Sequence, residues 1–496
     1  MTIVQETIKS STTYKEVDQK RWFVRYLMLG AVGIILAIKL YLLLFIVDLT
    51  VGLYSFFTSF LLFNILFISY IKFKDPYIYA KSMYVSNGIT YGISKPLVSI
   101  IVPVKNEEGN IRNCVQSCIN STYSNKEIIV VNDGSTDDTA AILDEMKKEE
   151  PSLNIIHLSE SVGKKQAIEA ASEIAKGEIF VSMDSDCDMA CDAVEKAVKI
   201  FNSDRKIGAI SGHGRVRGAI TGNALLKMQD VYIDASCRIL KGMETSFCSV
   251  TCCAGSLSFF RREAVMPYMH DWAHDKFLGM ENFKFATDRR LTAYILGTKE
   301  SSVLEDSSKS DDSASNIIHN IPVLAHCKNG LDTRTSSSGS DTKNTNNKLR
   351  YAWKIVYSQS IKVNVGVPET FPTLIRQQIR WRKSFIRSLF ATGGIYWRRP
   401  LYAALLYYLQ ISLKFLRPLI VLKVLIFLPL SGDLITTLLY FSGVLFAGMI
   451  YGVDFRLRNP GSSLWLYRPL FTFMTTFVYS WLIIYAAITI KKTAWR

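Results

Sequence analysis

The chain has 496 residues, 49% of them hydrophobic and 20% charged, with a formal net charge of +15. Its apolar residues cluster toward both ends, which excludes an ordinary soluble protein, and the positive charge accompanies no nucleic-acid-binding motif. The basic residues crowd the flanks of the apolar runs instead: Lys15, Lys20, Arg21 and Arg25 before the first, and Arg376, Arg380, Arg382, Lys383, Arg387, Arg398 and Arg399 before the later ones. This is the pattern of a cytoplasmic surface facing anionic lipid. The nine cysteines are odd in number and lack C-x-x-C spacing, so neither a disulfide framework nor a cysteine zinc site is signalled and reduced thiols are expected.

Residues 1–23 are polar and read as a cytoplasmic segment. Tyr26 to Val47 is apolar apart from Lys39. It is long enough to span a bilayer, which takes about 20 residues, and too long for a cleavable signal. Asp48-Leu49-Thr50 connects it tightly to a second span, Val51 to Ile71, so 24–72 reads as a transmembrane hairpin with both ends inside. Lys39 faces other helices or a polar path, or snorkels.

From 95 to about 300, strands alternate with helices, which argues for a mostly parallel sheet. Strands are expected at Leu97–Val104, Glu127–Val131, Asn154–Leu158 and Ile179–Met183. Helices are expected near Gly109–Asn120, from about Asp137 with Ser135 or Thr136 as N-cap, and from Gly163-Lys164-Lys165 to Ala175. Residues 299–349 are rich in Ser, Asp, Asn, Thr and Lys and read as a flexible insertion. Lys354–Val367 resumes as a strand. Phe371 to about Thr392 is a basic amphipathic helix suited to a membrane surface. Three apolar runs follow: Leu401–Leu430, long for one span and short for two, then Leu434–Val453 and Leu470–Ile490. Lys491 and Lys492 argue for an inside C-terminus, which requires an even number of crossings, so one of these segments is split or re-entrant.

The chemistry gathers where strands end. In an open α/β sheet, ligands bind beyond the carboxyl ends of the strands. The fourth strand ends in Asp184-Ser185-Asp186, and paired carboxylates of this kind hold Mg²⁺ or Mn²⁺ with substrate phosphates; read alone, they also suit an acidic turn. Asp133 ends the second strand in Asn132-Asp133-Gly134, where it can meet a base or ribose or simply form a turn. Lys164 opens a helix, where backbone N–H groups and ammoniums suit a phosphate or plain solvation. Thr287-Asp288-Arg289-Arg290 places an acid beside two bases at a helix start. Gln377, Arg380 and Trp381 sit at i, i+3 and i+4 and share one helix face. Arg suits phosphate and Trp suits a sugar face, or the pair anchors the helix at the interface.

Taken in order, Asp133, Asp184-Ser185-Asp186, Asp288 and Gln377-x-x-Arg380-Trp381 resemble the D, DxD, (E/D)D and Q-x-x-R-W series of processive family 2 glycosyltransferases. Phe277-Leu278-Gly279 ahead of Thr287-Asp288-Arg289-Arg290-Leu291-Thr292, the loop Cys252-Cys253-Ala254-Gly255-Ser256-Leu257-Ser258, and Tyr485 through Trp495 are similar to the hyaluronan synthase, chitin synthase and chitooligosaccharide synthase branch. Thr287 departs from that pattern, standing where the branch has an acidic residue, and Ser256 and Ser258 replace a Pro and a Gly of its priming loop.

The resemblance implies an α/β fold: a GT-A (Rossmann-like) domain over 95–370, inserted between membrane helices, with an amphipathic interface helix over 371–396, membrane helices over 400–490 and a cytoplasmic tail over 491–496. It implies a UDP-sugar donor, UDP-GlcNAc with or without UDP-GlcA, a growing β-linked polysaccharide as acceptor, and Mg²⁺ or Mn²⁺. Asp288 would be the general base and Asp186 the metal ligand. Asp133, Lys164, Asp184, Gln377 and Arg380 would hold the nucleotide-sugar, and Cys252 and Trp381 the acceptor. The expected location is the plasma membrane, with the catalytic domain cytoplasmic. Two rival readings are a non-processive family 2 enzyme acting on a lipid carrier and a non-catalytic membrane scaffold or transporter.

Overall fold

The computed structural model describes residues 2–45, 48–86, 94–298 and 353–492. The insertion expected over 299–349 and the end of the tail, 493–496, lie outside the described residues. The chain divides into two compact units: one of residues up to 72, 218–239 and 408–482, the other of 73–217, 240–407 and 483 onward.

In the second unit eight strands form one sheet: β1 (Val98–Val104), β2 (Lys126–Asp133), β3 (Asn154–Leu158), β4 (Ile179–Ser182), β5 (Cys187–Met189), β6 (Ile207–Val216), β7 (Ser258–Arg261) and β8 (Lys354–Val365). Their order is β3-β2-β1-β4-β7-β6-β8-β5. The first four strands pair in parallel. Parallel strands covered on both faces need continuous apolar runs, and every residue of β1 is buried. Ile100, Val102, Val130, Val181 and Phe259 from four of these strands share one core. Gly177 lets the chain reach the start of β4 close beside β1, since a Cβ there would lie 2.6 Å from the Ser99 backbone nitrogen.

Beyond β4 the sheet is mixed rather than mostly parallel. β7 runs antiparallel to both β4 and β6, and β5 antiparallel to β8, while β6 and β8 are parallel. The cause is a connection: the loop before β7 ends at the carboxyl edge of β4, so the next strand must run back down the sheet, pairing Ser258 with Ser182.

A helix begins directly at Lys164 and runs to Ile174, with Gly163 at its N-cap. The helix expected from Asp137 starts at Thr139 instead. Ser135 Oγ is occupied by the Asn106 N–H at 3.0 Å, and Asp137 Oδ1 accepts from the Thr139 N–H at 3.1 Å, so the turn closes before the helix opens. Thr287–Gly297 and Phe371–Tyr396 are helical.

In the first unit, helices Thr2–Phe45 and Leu49–Ile71 are joined through Asp48, whose carboxylate caps the second by accepting from the Val51 N–H at 3.0 Å. Lys39 faces that second helix: its ammonium donates to Ser55 Oγ at 2.7 Å and Ser59 Oγ at 2.8 Å. Such pairing is what a cation in an apolar helix requires. Among the described residues, Trp22–Leu44, Leu49–Met83 and Leu434–Arg458 are long and apolar enough to cross a membrane. The last apolar run is split over 478–481 into Tyr467–Phe477 and Leu482–Ile488.

Candidate active site

The end of β4, the loop preceding β7 and the starts of two helices bring two carboxylates and one ammonium together. Asp184 leaves the end of β4, its backbone N–H held by the Gly255 carbonyl at 3.0 Å. The Lys164 ammonium pairs directly with Asp184 Oδ1 and lies 3.9 Å from Asp288 Oδ1. Asp288 is in the first turn of its helix and accepts from the Gly255 N–H at 2.9 Å.

Gly255 is the hinge of this arrangement. A Cβ there would lie 2.9 Å from Asp184 Oδ2 and 3.0 Å from both Asp288 oxygens. Only a residue without a side chain lets the two carboxylates close on the same backbone from either side. Ser256 and Ser258, the departures from the expected loop, follow it.

Asp186 points elsewhere. Its backbone carbonyl accepts from the Gly366 N–H at 3.1 Å and from the Arg217 guanidinium at 3.0 Å. Arg217 also donates to Asp188 Oδ1 at 2.7 Å, which fixes the turn. The Asp186 carboxylate itself meets the Cys187 thiol at 3.2 Å. On an extended backbone residues two apart share a face, so it is the turn after β4, closed by the Cys187 N–H on the Asp184 carbonyl at 3.1 Å, that directs Asp184 toward Lys164 and Asp288 and brings Asp186 to Cys187.

The electrostatics follow. Burial opposes the Lys164 ammonium, but the charges of Asp184 and Asp288 and the direct hydrogen bond outweigh it and hold its pKa above the usual lysine value. Burial pushes Asp186 up to about 6, with the charge of Asp184 adding to it. Asp288 is also raised, by burial first, with Asp184 adding; Lys164, the Gly255 N–H and Arg289 offset only part. Solvent reaches 34% of its side chain, but behind it lie Ile168, Trp272 and Leu291. The sequence sets Asp288 beside two bases, Arg289 and Arg290. Arg290 instead turns to Asp275, at 3.2 Å, so burial prevails.

Asp133 holds the loop before Lys164. Its carboxylate accepts from the Val162 N–H at 2.7 Å, the Gly163 N–H at 3.1 Å and the Ser161 hydroxyl at 2.9 Å. Cys252 begins the loop that carries Gly255, and burial raises its thiol pKa, so it is a neutral thiol. Gln377, Arg380 and Trp381 occupy one face of the Phe371–Tyr396 helix. Trp381 is 41% exposed, while Gln377 Oε1 is buried without a hydrogen-bond partner. No direct hydrogen bond or ion pair from Gln377 or Trp381 to the carboxylate cluster is present among the described residues.

One group escaped the sequence reading. Asp275, 2% exposed, accepts from Lys165 at 3.3 Å, Arg290 at 3.2 Å and Arg387 at 2.6 Å. It ties the Lys164 helix, the Asp288 helix and the Trp381 helix to one point. The only hint in the sequence was a second lysine beside Lys164.

With this geometry in place, the relatives can be read. Residues 99–268 match the family model of Glycosyl transferase family 2. A hyaluronan synthase of Streptococcus pyogenes is 24% identical over 405 residues, 80% of this chain and 82% of that protein. An N-acetylglucosaminyltransferase of Bradyrhizobium diazoefficiens is 30% identical over 204 residues, 40% of this chain and 41% of that protein. The solved mannosyltransferase PcManGT from Pyrobaculum calidifontis, in complex with GDP-Man and Mn²⁺, covers 88% of this chain and 99% of its own at a TM-score of 0.48 and 17% identity. Residues 99–268 thus form a glycosyltransferase family 2 domain of α/β fold, in a chain related at low identity to hyaluronan synthases and carrying helices apolar enough to cross a membrane.

Proposed function

We propose that the chain is a processive, inverting glycosyltransferase that elongates and exports a β-linked polysaccharide of hyaluronan or chitin type from UDP-GlcNAc, with or without UDP-GlcA. The observation that carries this reading is the closing of Asp184 and Asp288 on the two sides of Gly255, with Lys164 between them. A donor-side carboxylate and a separate, half-buried carboxylate are what transfer to a sugar hydroxyl needs.

Asp288 takes the proton from the acceptor hydroxyl as the new bond forms, and its raised pKa makes it the stronger base. Lys164 and Asp184 hold the ribose and diphosphate side of the donor. Asp133 places the Lys164 loop, its carboxylate taken up by Ser161, Val162 and Gly163, and so contributes to the nucleotide side of the donor site. Gln377 and Arg380 hold the diphosphate from the helix above, with the unpaired Gln377 Oε1 free to accept. Trp381 offers its exposed ring to the acceptor sugar, and Cys252 lines the acceptor side.

The donor set at Asp184 and Asp186 fits a hard divalent cation. It consists of carboxylate oxygens one residue apart, and no ion pair to Asp186 is present among the described residues. Asp186 would hold Mg²⁺ or Mn²⁺, which when bound neutralises charge on the leaving diphosphate. In this reading the enzyme works in the plasma membrane, with the catalytic domain on the cytoplasmic side and the membrane helices forming a path for the chain; helices apolar enough to cross a membrane support it.

The test uses membranes bearing the protein, incubated with single UDP-sugars and with pairs. UDP release identifies the donors, and the product length distribution at low turnover reads processivity. Long chains appearing before the acceptor pool is used up support the reading. Single-sugar lipid products, or no UDP release with any donor, overturn it.

A further inference from the structure

Two of the chain's six histidines converge on one carboxylate outside the cleft. His270 and His274 stand four residues apart, one within the short helix Met269–Ala273 and the other at its C-cap. That spacing puts both rings on one face, and their centroids are 4.4 Å apart. Glu169, on the helix that begins at Lys164, reaches across to them. Its Oε1 lies 2.9 Å from His270 Nδ1 and its Oε2 lies 3.6 Å from His274 Nδ1. One ligand atom from each of the three residues falls within 4.8 Å of the others.

We propose that Glu169, His270 and His274 form a site for a divalent transition-metal ion of the zinc class, distinct from the carboxylate pair at the end of β4. Zinc binds imidazole nitrogen and carboxylate oxygen at about 2.0–2.2 Å, and a tetrahedral ion therefore holds its ligands about 3.3 Å apart. The separations of 2.9 and 3.6 Å bracket that value. Two histidines and one glutamate are a complete three-ligand set for zinc, and the ring of His270, 80% exposed, leaves the remaining position open to water. His274 Nδ1 also lies 3.2 Å from the His270 backbone carbonyl. With a metal bound, this nitrogen is the ligand and the neutral imidazole carries its proton on Nε2. Imidazole donors favour zinc, whereas Mg²⁺ prefers oxygen alone.

The site lies where an ion would be felt by the cleft. Glu169 is five residues beyond Lys164, about 7.5 Å along the helix and turned to a different face. On the other side, Trp272 stands between the two histidines and donates from Nε1 to the Thr287 carbonyl at 2.8 Å, next to Asp288. A bound ion thus clamps the helix that delivers Lys164 to the element that backs Asp288.

The experiment uses the full-length protein in detergent with Zn²⁺ as the probe, titrated against a chromophoric chelator. One Zn²⁺ per chain is expected. His270→Gln and His274→Gln should each weaken it at least about tenfold, since loss of mere outer-shell partners already costs that much. His157→Gln and excess Mg²⁺ should leave it unchanged, and Zn²⁺ should raise the thermal midpoint of the wild type but not of the double variant. Equal Zn²⁺ affinity in the double variant and the wild type overturns the site, as does affinity so weak that the histidines act only as a stacked surface pair. Should the variants fail to fold, the wild type still decides. Zn²⁺ must protect His270 and His274 from diethyl pyrocarbonate in peptide mass spectra, and absence of protection overturns the proposal.

Discussion

Lys164 and Lys165 are adjacent on one helix, yet they enter opposite electrostatic surroundings. Lys164 meets Asp184 directly and lies near Asp288, with Asp186 adding a third negative charge, so its surroundings carry surplus negative charge. Lys165 shares the single carboxylate of Asp275 with Arg290 and Arg387, so its surroundings carry surplus positive charge. The pKa shifts record the difference. Asp186 and Asp288 are raised, chiefly by burial. Asp275 is lowered: burial opposes its charge, but the hydrogen bond from Arg387 and the charges of Lys165, Arg387 and Arg290 outweigh it. Lys165 is pushed down to about 8 by its own burial. One region is left short of cations, as a place for substrate and metal must be. The other is closed on itself and holds three helices in register.

The largest effect that would sharpen this contrast is Asp288→Asn. It keeps the shape and removes the basicity, so polymerisation should fall at least about 10²-fold, the lower range for a lost general base. UDP affinity should stay within a few-fold. Loss of UDP binding with normal transfer per bound donor would make Asp288 a nucleotide ligand and break the assignment.

Asp275→Asn should act in the opposite way. Removing one partner of a buried ion group typically costs about 3–5 kcal/mol, because the remaining charges stay buried without compensation. The thermal midpoint should drop sharply, while the fraction that remains folded turns over near the wild-type rate per bound donor. A variant that is stable but inactive would move Asp275 from scaffold to chemistry.

Acid should separate the two regions without mutation. Asp288 must be ionised to accept a proton, so kcat/KM should fall as pH drops through its raised pKa, above the usual aspartate value of about 3.9. Asp275 has a lowered folded pKa. Its stabilisation is present above the unfolded value and lost only as pH falls through the folded one. As pH falls through the raised pKa of Asp288, activity should therefore be lost reversibly while the thermal midpoint retains the contribution from Asp275. Parallel loss of both would mean the acid limb reports unfolding.

This contrast also marks what could be read from the sequence. β1, β2 and β4 were legible because strands covered on both faces must be continuous apolar runs, and the carboxylates at their ends follow from that geometry. β5 and β7, three and four residues long, carry no period, and their direction is set by where the preceding loop ends. Asp133, Lys164, Asp184 and Asp288 could be found because each sits at the end of a recognisable element. Asp275 could not: its partners are 110, 15 and 112 residues away, and its neighbours His274 and Lys276 make it look like an ordinary surface acid. Gly255 was visible as a loop glycine, but its contact with two carboxylates belongs to the fold alone.

The smallest expected effect concerns Cys252, which lies between these two kinds of residue, beside the acidic cluster but uncharged. Burial raises its pKa, so at neutral pH the group is a thiol. The thiolate is the nucleophilic form, and direct transfer to an acceptor hydroxyl activated by Asp288 needs no covalent enzyme intermediate. Cys252 can then contribute only shape and a weak contact on the acceptor side. Cys252→Ser keeps the size and should lower kcat/KM by less than about tenfold, that is by under about 1.4 kcal/mol, with the change in acceptor KM rather than in kcat. Loss of turnover comparable to that of Asp288→Asn, together with a sugar adduct on Cys252 in the mass spectrum of the wild type, would replace the single displacement by a covalent route and make the acidic cluster a device for activating sulfur.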